Sequence, residues 1–150
     1  MGAALNAAEA NLDAIESQDW GRLRQQLADD FIFVNPNSPI PELSREEWIG
    51  MSQMLANAFS DLTYNFEILE EKGPQVWVAV EFEGTHDGDL DLTPMGGGVV
   101  PPSGKHGRAA RSISVGTIDE NGKVASIEII EEPPGGGAMG LLAAVGINMG

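Results

Sequence analysis

Three glutamates near the end of the sequence have the side chains and the setting for proton-transfer chemistry. In KVASIEIIEEPPGGG (123–137), Glu128, Glu131 and Glu132 stand among isoleucines in an expected β-strand. Burial among apolar groups disfavours a charged carboxylate, so the pKa of such a group rises toward neutrality. It can then take a proton and return it, which typically accelerates a reaction by about 10² to 10⁴. Each glutamate is therefore either a candidate general base or a solvated surface residue.

The turn DENG (119–122) decides which of these glutamates faces inward. A two-residue loop would place Glu128 opposite Val115. A three-residue loop with its glycine in the left-handed region would instead place Glu131 opposite Arg111. We predict the three-residue loop, because it separates an aliphatic face from a polar one, and a slip by one residue would exchange the two faces. The polar face then carries Ser112, Ser114, Gly116, Ser126, Glu128, Ile130 and Glu132.

Glu128 is the first candidate for the base, because the small serines beside it leave volume for a ligand. Glu132, at the end of the strand, is the second candidate, and Glu131 is expected to pair with Arg111 on the outer face. The alternative is that the polar face is only hydrated, since antiparallel sheets commonly have one solvated face.

The elements that would position these groups begin with helices. Apolar residues recur at helical spacing from Leu5 to Ile15. A second short helix follows, with Ser17 or Asp19 as its cap. DFIFVN (30–35) then predicts a short strand. Helices therefore precede most of the expected sheet.

A third helix and a run of strands complete the predicted fold. Ser44 and Glu47 form a capping box that opens a helix carrying Trp48 on its apolar face. From residue 62 the hydrophobic period changes to two, which predicts strands in LTYNFEILEE, VWVAVEFEGTH, RAARSISVGTI and KVASIEIIEE. The glycine-rich segment 87–107 is long for a loop, and such loops are usually functional or disordered. This order predicts an α+β fold with helices covering one face of an antiparallel sheet.

Length and composition are consistent with one domain. The chain has 150 residues, of which 42% are apolar, and we predict a single domain over 1–150, with 133–150 as a glycine-rich link and a short helix. No apolar window approaches the roughly 18 residues that a spanning helix needs. The first residues lack the basic region of a secretory signal, so we expect a cytoplasmic protein.

Charge and residue usage exclude several classes of function. The net charge of −15 repels phosphate backbones and anionic lipid, so we expect neither nucleic acid nor membranes as partners. The chain has no cysteine and only two histidines, His86 and His106, which is a poor supply for a metal centre. The lysine of GGGVVPPSGK is followed by His106, so this segment is not a phosphate-binding loop. We therefore predict no cofactor and no metal.

Four short motifs occur in an order that resembles the SnoaL-like polyketide cyclase and ester cyclase family. They are GTHDG (84–88), VPPSGK (100–105), ENGKV (120–124) and GLLAAVG (140–146), and the likeness runs from about residue 5 to residue 147. The resemblance implies the NTF2-like cone, in which a strongly curved antiparallel sheet wraps over helices and encloses a mostly apolar pocket. It also implies a small apolar ligand and a homodimer. Family members close polyketide rings by intramolecular aldol addition, whereas related cones include isomerases, hydrolases and binding modules without activity, so the fold alone does not assign a function.

The resemblance also bears on individual residues. Glu128 lies in the strand where the cyclases have their acid/base carboxylate, although relatives carry His-Trp at Ile127-Glu128 and Asp at Glu132. His86 lies in a family motif and could polarise a carbonyl or share a proton with Glu128, or it could cap the following turn through Asp87. Asn35 matches a position where relatives often have a polar pocket residue, but turn chemistry explains it equally well.

Two aromatic residues complete the expected pocket. Trp48 could line it or belong to the ordinary core, and the hydroxyl of Tyr64, the only tyrosine, would need a partner if buried. The predicted catalytic residues are Glu128 and His86. The predicted substrate-binding residues are Asn35, Trp48, Tyr64, Ser112, Ser114 and Glu132.

These observations lead to two hypotheses about function. The first is a cofactor-independent enzyme that acts by general acid–base catalysis on a small, largely apolar carbonyl compound. The second is a binding or carrier module with the same cone and no turnover. The orientation of Glu128 should separate them.

Overall fold

The computed structural model describes residues 2–38, 40–93 and 97–147. The helices of this part are α1 (Ala3–Glu16), α2 (Trp20–Gln26), α3 (Arg45–Ala58) and α4 (Gly137–Ala144). The strands are β1 (Leu27–Val34), β2 (Glu42–Ser44), β3 (Glu67–Lys72), β4 (Gln75–Val80), β5 (Glu83–Thr85), β6 (Leu90–Asp91), β7 (Val99–Val100), β8 (His106–Arg108), β9 (Ser112–Ile118) and β10 (Val124–Glu131). Residues 94–96 of the predicted loop and 148–150 of the predicted C-terminal segment lie outside the described residues. Among the helices so described, none has the length and apolar character needed to cross a membrane.

The main sheet is curved and has six strands in the order β2-β1-β10-β9-β4-β3. All neighbouring strands are antiparallel except β1 and β10, which run parallel, so the sheet is mostly antiparallel. The strands β5 and β8 form a small second sheet, and β6 and β7 form a third. The segment 87–107, predicted as a loop, therefore contains β6, β7 and the start of β8.

Helices cover the concave face of the main sheet. Helix α1 contacts β4, β9 and β10, and α3 contacts β1 and β2. The core between these layers includes the fully buried side chains of Leu23, Ile49, Phe59 and Val76. Helix α4 packs on β8 and buries Leu141. This arrangement confirms the predicted α+β fold, in which helices lie on one face of a sheet.

The strand predicted over LTYNFEILEE is interrupted at Asn65. Asn65 adopts a left-handed φ of 47°, and its side chain donates a hydrogen bond to the Glu81 carbonyl at 3.0 Å. Asparagine tolerates this backbone region better than most residues because its short amide can bond locally. Strand β3 therefore begins only at Glu67, and Tyr64 lies on a separate segment beside the end of β4.

The predicted capping box at the start of α3 is confirmed. The Ser44 hydroxyl accepts a hydrogen bond from the Glu47 N–H at 3.3 Å, and the Glu47 carboxylate accepts one from the Ser44 N–H at 2.9 Å. The bond from the Ser44 N–H is the main reason that the pKa of Glu47 is lowered. These two reciprocal bonds fix where α3 begins.

Replacing Ser44 with alanine should lower the free energy of unfolding by about 1 kcal/mol, because one amide of the first turn loses its partner. Urea denaturation followed by circular dichroism measures this change. Ser44→Gly is the matched control, since glycine at a cap position costs only about a few tenths of a kcal/mol. Equal losses for the two variants, or no loss for the alanine variant, would contradict the assignment of Ser44 as the cap.

Candidate functional site

A cavity of about 450 Å³ lies between the concave face of the main sheet and helices α1, α3 and α4. Its walls are mostly apolar and include the aromatic rings of Phe33, Trp48, Phe66 and Phe82. Its polar lining includes Asn11, Asn35, Tyr64, Ser112, Ser114 and Glu132. The structure thus places all six predicted substrate-binding residues around one cavity, of a size that suits a small-molecule ligand.

The turn of the last hairpin has the predicted three-residue loop. The Asp119 N–H donates to the Lys123 carbonyl at 2.8 Å, and Gly122 adopts a left-handed φ of 77°. Directly after the turn, Val124 pairs with Ile118, as the three-residue loop requires. The prediction of this turn is therefore confirmed.

A β-bulge beyond the turn overturns the predicted faces of β10. The register shifts between Val124 and Ser126, and from there Glu128 pairs with Val115. A bulge inserts one extra residue and so inverts the alternation of side chains along the bulged strand. Glu128 is exposed and is not part of the cavity wall. The prediction that Glu128 projects into the pocket is wrong, because the bulge turns its side chain to the outer face.

A second bulge brings Glu132 to the inner face. The register shifts again between Ile129 and Glu131, so Glu131 lies opposite Ile113 and the next residue, Glu132, faces the cavity. The predicted pair between Glu131 and Arg111 is also wrong, since Arg111 instead forms an ion pair with Glu67 at 3.1 Å. Of the glutamates at positions 128, 131 and 132, Glu132 alone lines the cavity.

The carboxyl group of Glu132 is half-buried and has one side-chain partner among the described residues. The Asn35 amide donates a hydrogen bond to Glu132 Oε2 at 3.1 Å. Burial raises the pKa of Glu132, and the hydrogen bond from Asn35 opposes this rise only in part. The pKa of Glu132 is thus shifted upward, in the direction that suits a general base.

Two glycines make room for this carboxyl group. A Cβ on Gly137 would lie only 2.5 Å from Glu132 Oε2, and one on Gly136 would lie 3.1 Å from Glu132 Cγ. Gly137 also has a left-handed φ of 69°, which disfavours any other residue there. The glycine run that follows β10 therefore allows α4 to pack directly against Glu132.

Two aromatic clusters flank the cavity. Trp48 packs on Phe31 and Phe33, with ring centroids 5.2 Å and 5.8 Å away. Tyr64 packs on Phe66 and Phe82, with centroids 5.1 Å and 5.0 Å away. Both alternatives for Trp48 hold, because the residue is buried in the core and also contributes to the cavity wall.

The two serines of β9 lie on the floor of the cavity. The Ser112 hydroxyl donates to the Val80 carbonyl and the Ser114 hydroxyl to the Val78 carbonyl, each at 3.4 Å. These bonds are long, so the hydroxyls are weakly held by the neighbouring strand. Small side chains at these positions leave the cavity open in its middle.

His86 lies outside the cavity wall. Its ring is fully buried and stacks on Phe59 at 5.4 Å, and its Nδ1 accepts a hydrogen bond from the Ser103 N–H at 3.3 Å. The residue follows β5, which pairs with β8 in the small second sheet and not with the main sheet. The predicted contact between His86 and Glu128 is therefore absent from the part of the chain that the structure describes, and His86 stabilises the segment around Ser103.

Asn11 is a cavity residue that is not among those predicted from the sequence. It is buried, and it lies on α1 between Ala8 and Ile15 on the face that lines the cavity. A polar side chain on the apolar stripe of an amphipathic helix is the signal that could have found it. Across the described ranges, no group of three or more histidine, aspartate or glutamate side chains is placed to hold a metal ion.

Comparison with known proteins places this geometry in a family. Residues 6–131 match the family model described as SnoaL-like polyketide cyclase. The structure is similar to AclR of Streptomyces galilaeus, a proposed hydroxylase, with a TM-score of 0.72, 18% identity and coverage of 97% of both chains. It is also similar to IdmH of Streptomyces antibioticus, a proposed polyketide cyclase, with a TM-score of 0.67, 20% identity and coverage of 96% of this chain and 99% of that one.

A third similar structure contains a ligand. It is a Mycobacterium tuberculosis protein in complex with estradiol-17β-hemisuccinate, with a TM-score of 0.63, 12% identity and coverage of 88% of this chain and 95% of that one. No curated protein sequence matches the chain. The structural likenesses confirm the predicted NTF2-like fold. Because the family model matches most of its length, the chain belongs to the SnoaL-like polyketide cyclase family.

Proposed function

We propose that the protein is a cofactor-independent acid–base catalyst that acts on a small, largely apolar carbonyl compound, with Glu132 as the base. The observation that carries this proposal is the half-buried Glu132 carboxyl group, which faces an apolar cavity and is held by Asn35 at 3.1 Å. Glu132 takes the role first predicted for Glu128. The same cavity supports the choice of a small, mostly apolar substrate.

The proposed step is enolisation. The ionised Glu132 carboxylate removes a proton from the carbon next to the substrate carbonyl, and the electrons of that C–H bond move onto the carbonyl oxygen. The protonated carboxyl group then returns a proton to the same or another carbon, or the enolate attacks a second carbonyl in an aldol addition. No oxidant, reductant or cofactor is needed for atoms and electrons to balance. The predictions of a homodimer and of a cytoplasmic location stay predictions and do not enter this mechanism.

Hydrogen–deuterium exchange of a simple ketone tests the proposed step. 2-Tetralone is apolar and has acidic hydrogens between its ring and its carbonyl. In deuterated buffer, the proton NMR signals of these hydrogens should disappear as deuterium replaces them. Their loss should be faster with the protein than with heat-inactivated protein. Binding of 2-tetralone without faster exchange would contradict the proposal and favour the second hypothesis.

The second hypothesis is a binding or carrier module. It is favoured by the absence of His86 from the cavity wall, which leaves the site without the predicted electrophilic histidine. It is also supported by the similar structure that holds an estradiol ester. In that case the cavity would retain an apolar ligand, and Glu132 would only hydrogen-bond it.

Replacing Asn35 with alanine should move the pH profile of exchange to higher pH. The Asn35 amide stabilises the ionised form of Glu132, and so lowers its pKa against the rise that burial causes. Without this hydrogen bond the pKa of Glu132 should rise further, and the anionic base should form only at higher pH. The midpoint of exchange rate against pH measures the change.

Asn37→Ala is the matched control for this variant. Asn37 contributes only its backbone N–H, which donates to Asn35 Oδ1, and the alanine variant keeps that group. Its profile should therefore coincide with that of the unaltered protein. A profile of Asn35→Ala that does not move, or that moves to lower pH, would contradict the role given to Asn35.

A further inference from the structure

Tyr64 is a buried residue whose hydroxyl the proposed proton transfer does not use. Tyr64 is only 7% exposed and lines the cavity. Its backbone N–H donates to Glu16 at 2.9 Å, but no described residue forms a hydrogen bond with its hydroxyl. Buried tyrosine hydroxyls usually find a partner, so one that opens onto a cavity is available to a ligand.

Tyr64 and Glu132 lie on opposite sides of the cavity. The Tyr64 carbonyl accepts a hydrogen bond from the Glu81 N–H at 2.8 Å, which places Tyr64 beside the end of β4. Glu132 directly follows β10, and β9 and β4 lie between the two residues in the sheet. Three strand spacings separate them, which corresponds to roughly 14 Å measured along the sheet.

The hydroxyl is suited to donate and not to ionise. Burial raises the pKa of Tyr64, and the nearby charge of Glu16 raises it further. The rings of Phe66 and Phe82 pack against the tyrosine ring at 5.1 Å and 5.0 Å, which restricts its orientation. A fixed neutral donor in an apolar cavity favours a ligand atom that accepts a hydrogen bond.

We infer that Tyr64 forms a second polar subsite, which binds a hydrogen-bond-accepting oxygen of the ligand at the side of the cavity opposite Glu132. The ligand class is then an apolar compound with oxygen at both ends. One end carries the carbonyl whose neighbouring carbon reacts at Glu132, and this half of the statement rests on the proposed function. The other end carries a ketone, ether or hydroxyl oxygen that Tyr64 selects.

A matched pair of rigid compounds tests the subsite. 9-Fluorenone and fluorene have the same three-ring shape, but only fluorenone has a carbonyl oxygen, and it has no hydrogen on the neighbouring carbons that a base could remove. Dissociation constants for both compounds are measured by equilibrium dialysis with the unaltered protein and with Tyr64→Phe. Fluorenone should bind more tightly than fluorene to the unaltered protein. Tyr64→Phe should raise the dissociation constant of fluorenone about 3- to 20-fold and leave that of fluorene unchanged.

Thermal unfolding of the same variant separates a ligand contact from a structural role. Because the hydroxyl has no partner among the described residues, Tyr64→Phe should have a Tm equal to or above that of the unaltered protein. A lower Tm would show a structural partner and would overturn the inference. Equal binding of the two compounds to the unaltered protein, or an unchanged ratio of their affinities in Tyr64→Phe, would also overturn it. Since fluorenone cannot be enolised, these results do not depend on whether Glu132 acts as a base.

Discussion

Glu132→Gln should reduce the rate of 2-tetralone exchange by about 10² to 10⁴, which is the usual contribution of a positioned general base. Glutamine has nearly the same shape as glutamate, but its amide cannot accept a proton from carbon. The loss should appear at every pH at which the unaltered protein is active. Proton NMR in deuterated buffer measures both rates under the same conditions.

The fold should survive this substitution. Glu132 is half-buried, and burial disfavours its charged form, so a neutral amide at this position removes an unfavourable desolvation term. The glutamine carbonyl can still accept the hydrogen bond from Asn35. Circular dichroism and Tm should therefore be close to those of the unaltered protein.

Glu128→Gln is the matched control, because Glu128 lies in β10, the strand that Glu132 directly follows, and its side chain is exposed. This variant should exchange 2-tetralone at the rate of the unaltered protein. If Glu128→Gln loses activity and Glu132→Gln keeps it, the base is Glu128, and the orientation described for β10 is wrong. If both variants keep full activity, neither carboxylate is the base.

Gly116→Phe should weaken the binding of fluorenone about 10- to 100-fold, because the added ring would occupy the middle of the cavity and clash with the ligand. Gly116 lies in β9 and contributes to the cavity wall. No atom lies within 4 Å of the position that its Cβ would take. The backbone of Gly116 is not in the left-handed region, and phenylalanine is favoured in strands, so the strand should tolerate the change.

Thr117→Phe is the control for Gly116→Phe. Thr117 is the next residue of β9, pairs with Gln75 and Ser126, and is not part of the cavity wall. A phenylalanine on this outer face should leave fluorenone binding unchanged. The dissociation constants from equilibrium dialysis, together with Tm values for both variants, separate blocking of the cavity from loss of structure. Unchanged binding in Gly116→Phe would show that the ligand lies elsewhere, and would remove the basis of the proposed function.

Local sequence signals were sufficient for much of the fold. The capping box is recognisable from Ser44 and Glu47 alone, because they are three residues apart. At this spacing the side chain of each residue accepts a hydrogen bond from the backbone N–H of the other. The two-residue period of VWVAVEFEGTH places Val76, Val78 and Val80 on one face of β4, and in the structure this face lines the cavity. Such features depend only on residues that are close together in the chain. A single sequence is therefore enough to predict them.

The orientation of the glutamates could not be predicted in the same way. Assigning Glu128 to the inner face assumed that β10 pairs regularly with β9 from the turn to its end. The two bulges break that regularity. Where a bulge forms depends on how the strand bends as the sheet curves around the helices packed on the concave face of the sheet. The position predicted for His86 is wrong for a related reason, since β5 lies outside the main sheet and pairs with β8.

The sequence by itself determined the helices, the longer strands, the turn at Gly122 and the family, because these depend on short-range spacing and on motifs in a fixed order. It also determined that carboxylates and small side chains would be concentrated in the last hairpin. Only the tertiary structure decided which carboxylate faces the cavity. An extra residue in a strand reverses the side chains beyond it, and where that residue goes depends on how the curved sheet packs against α1 and α3.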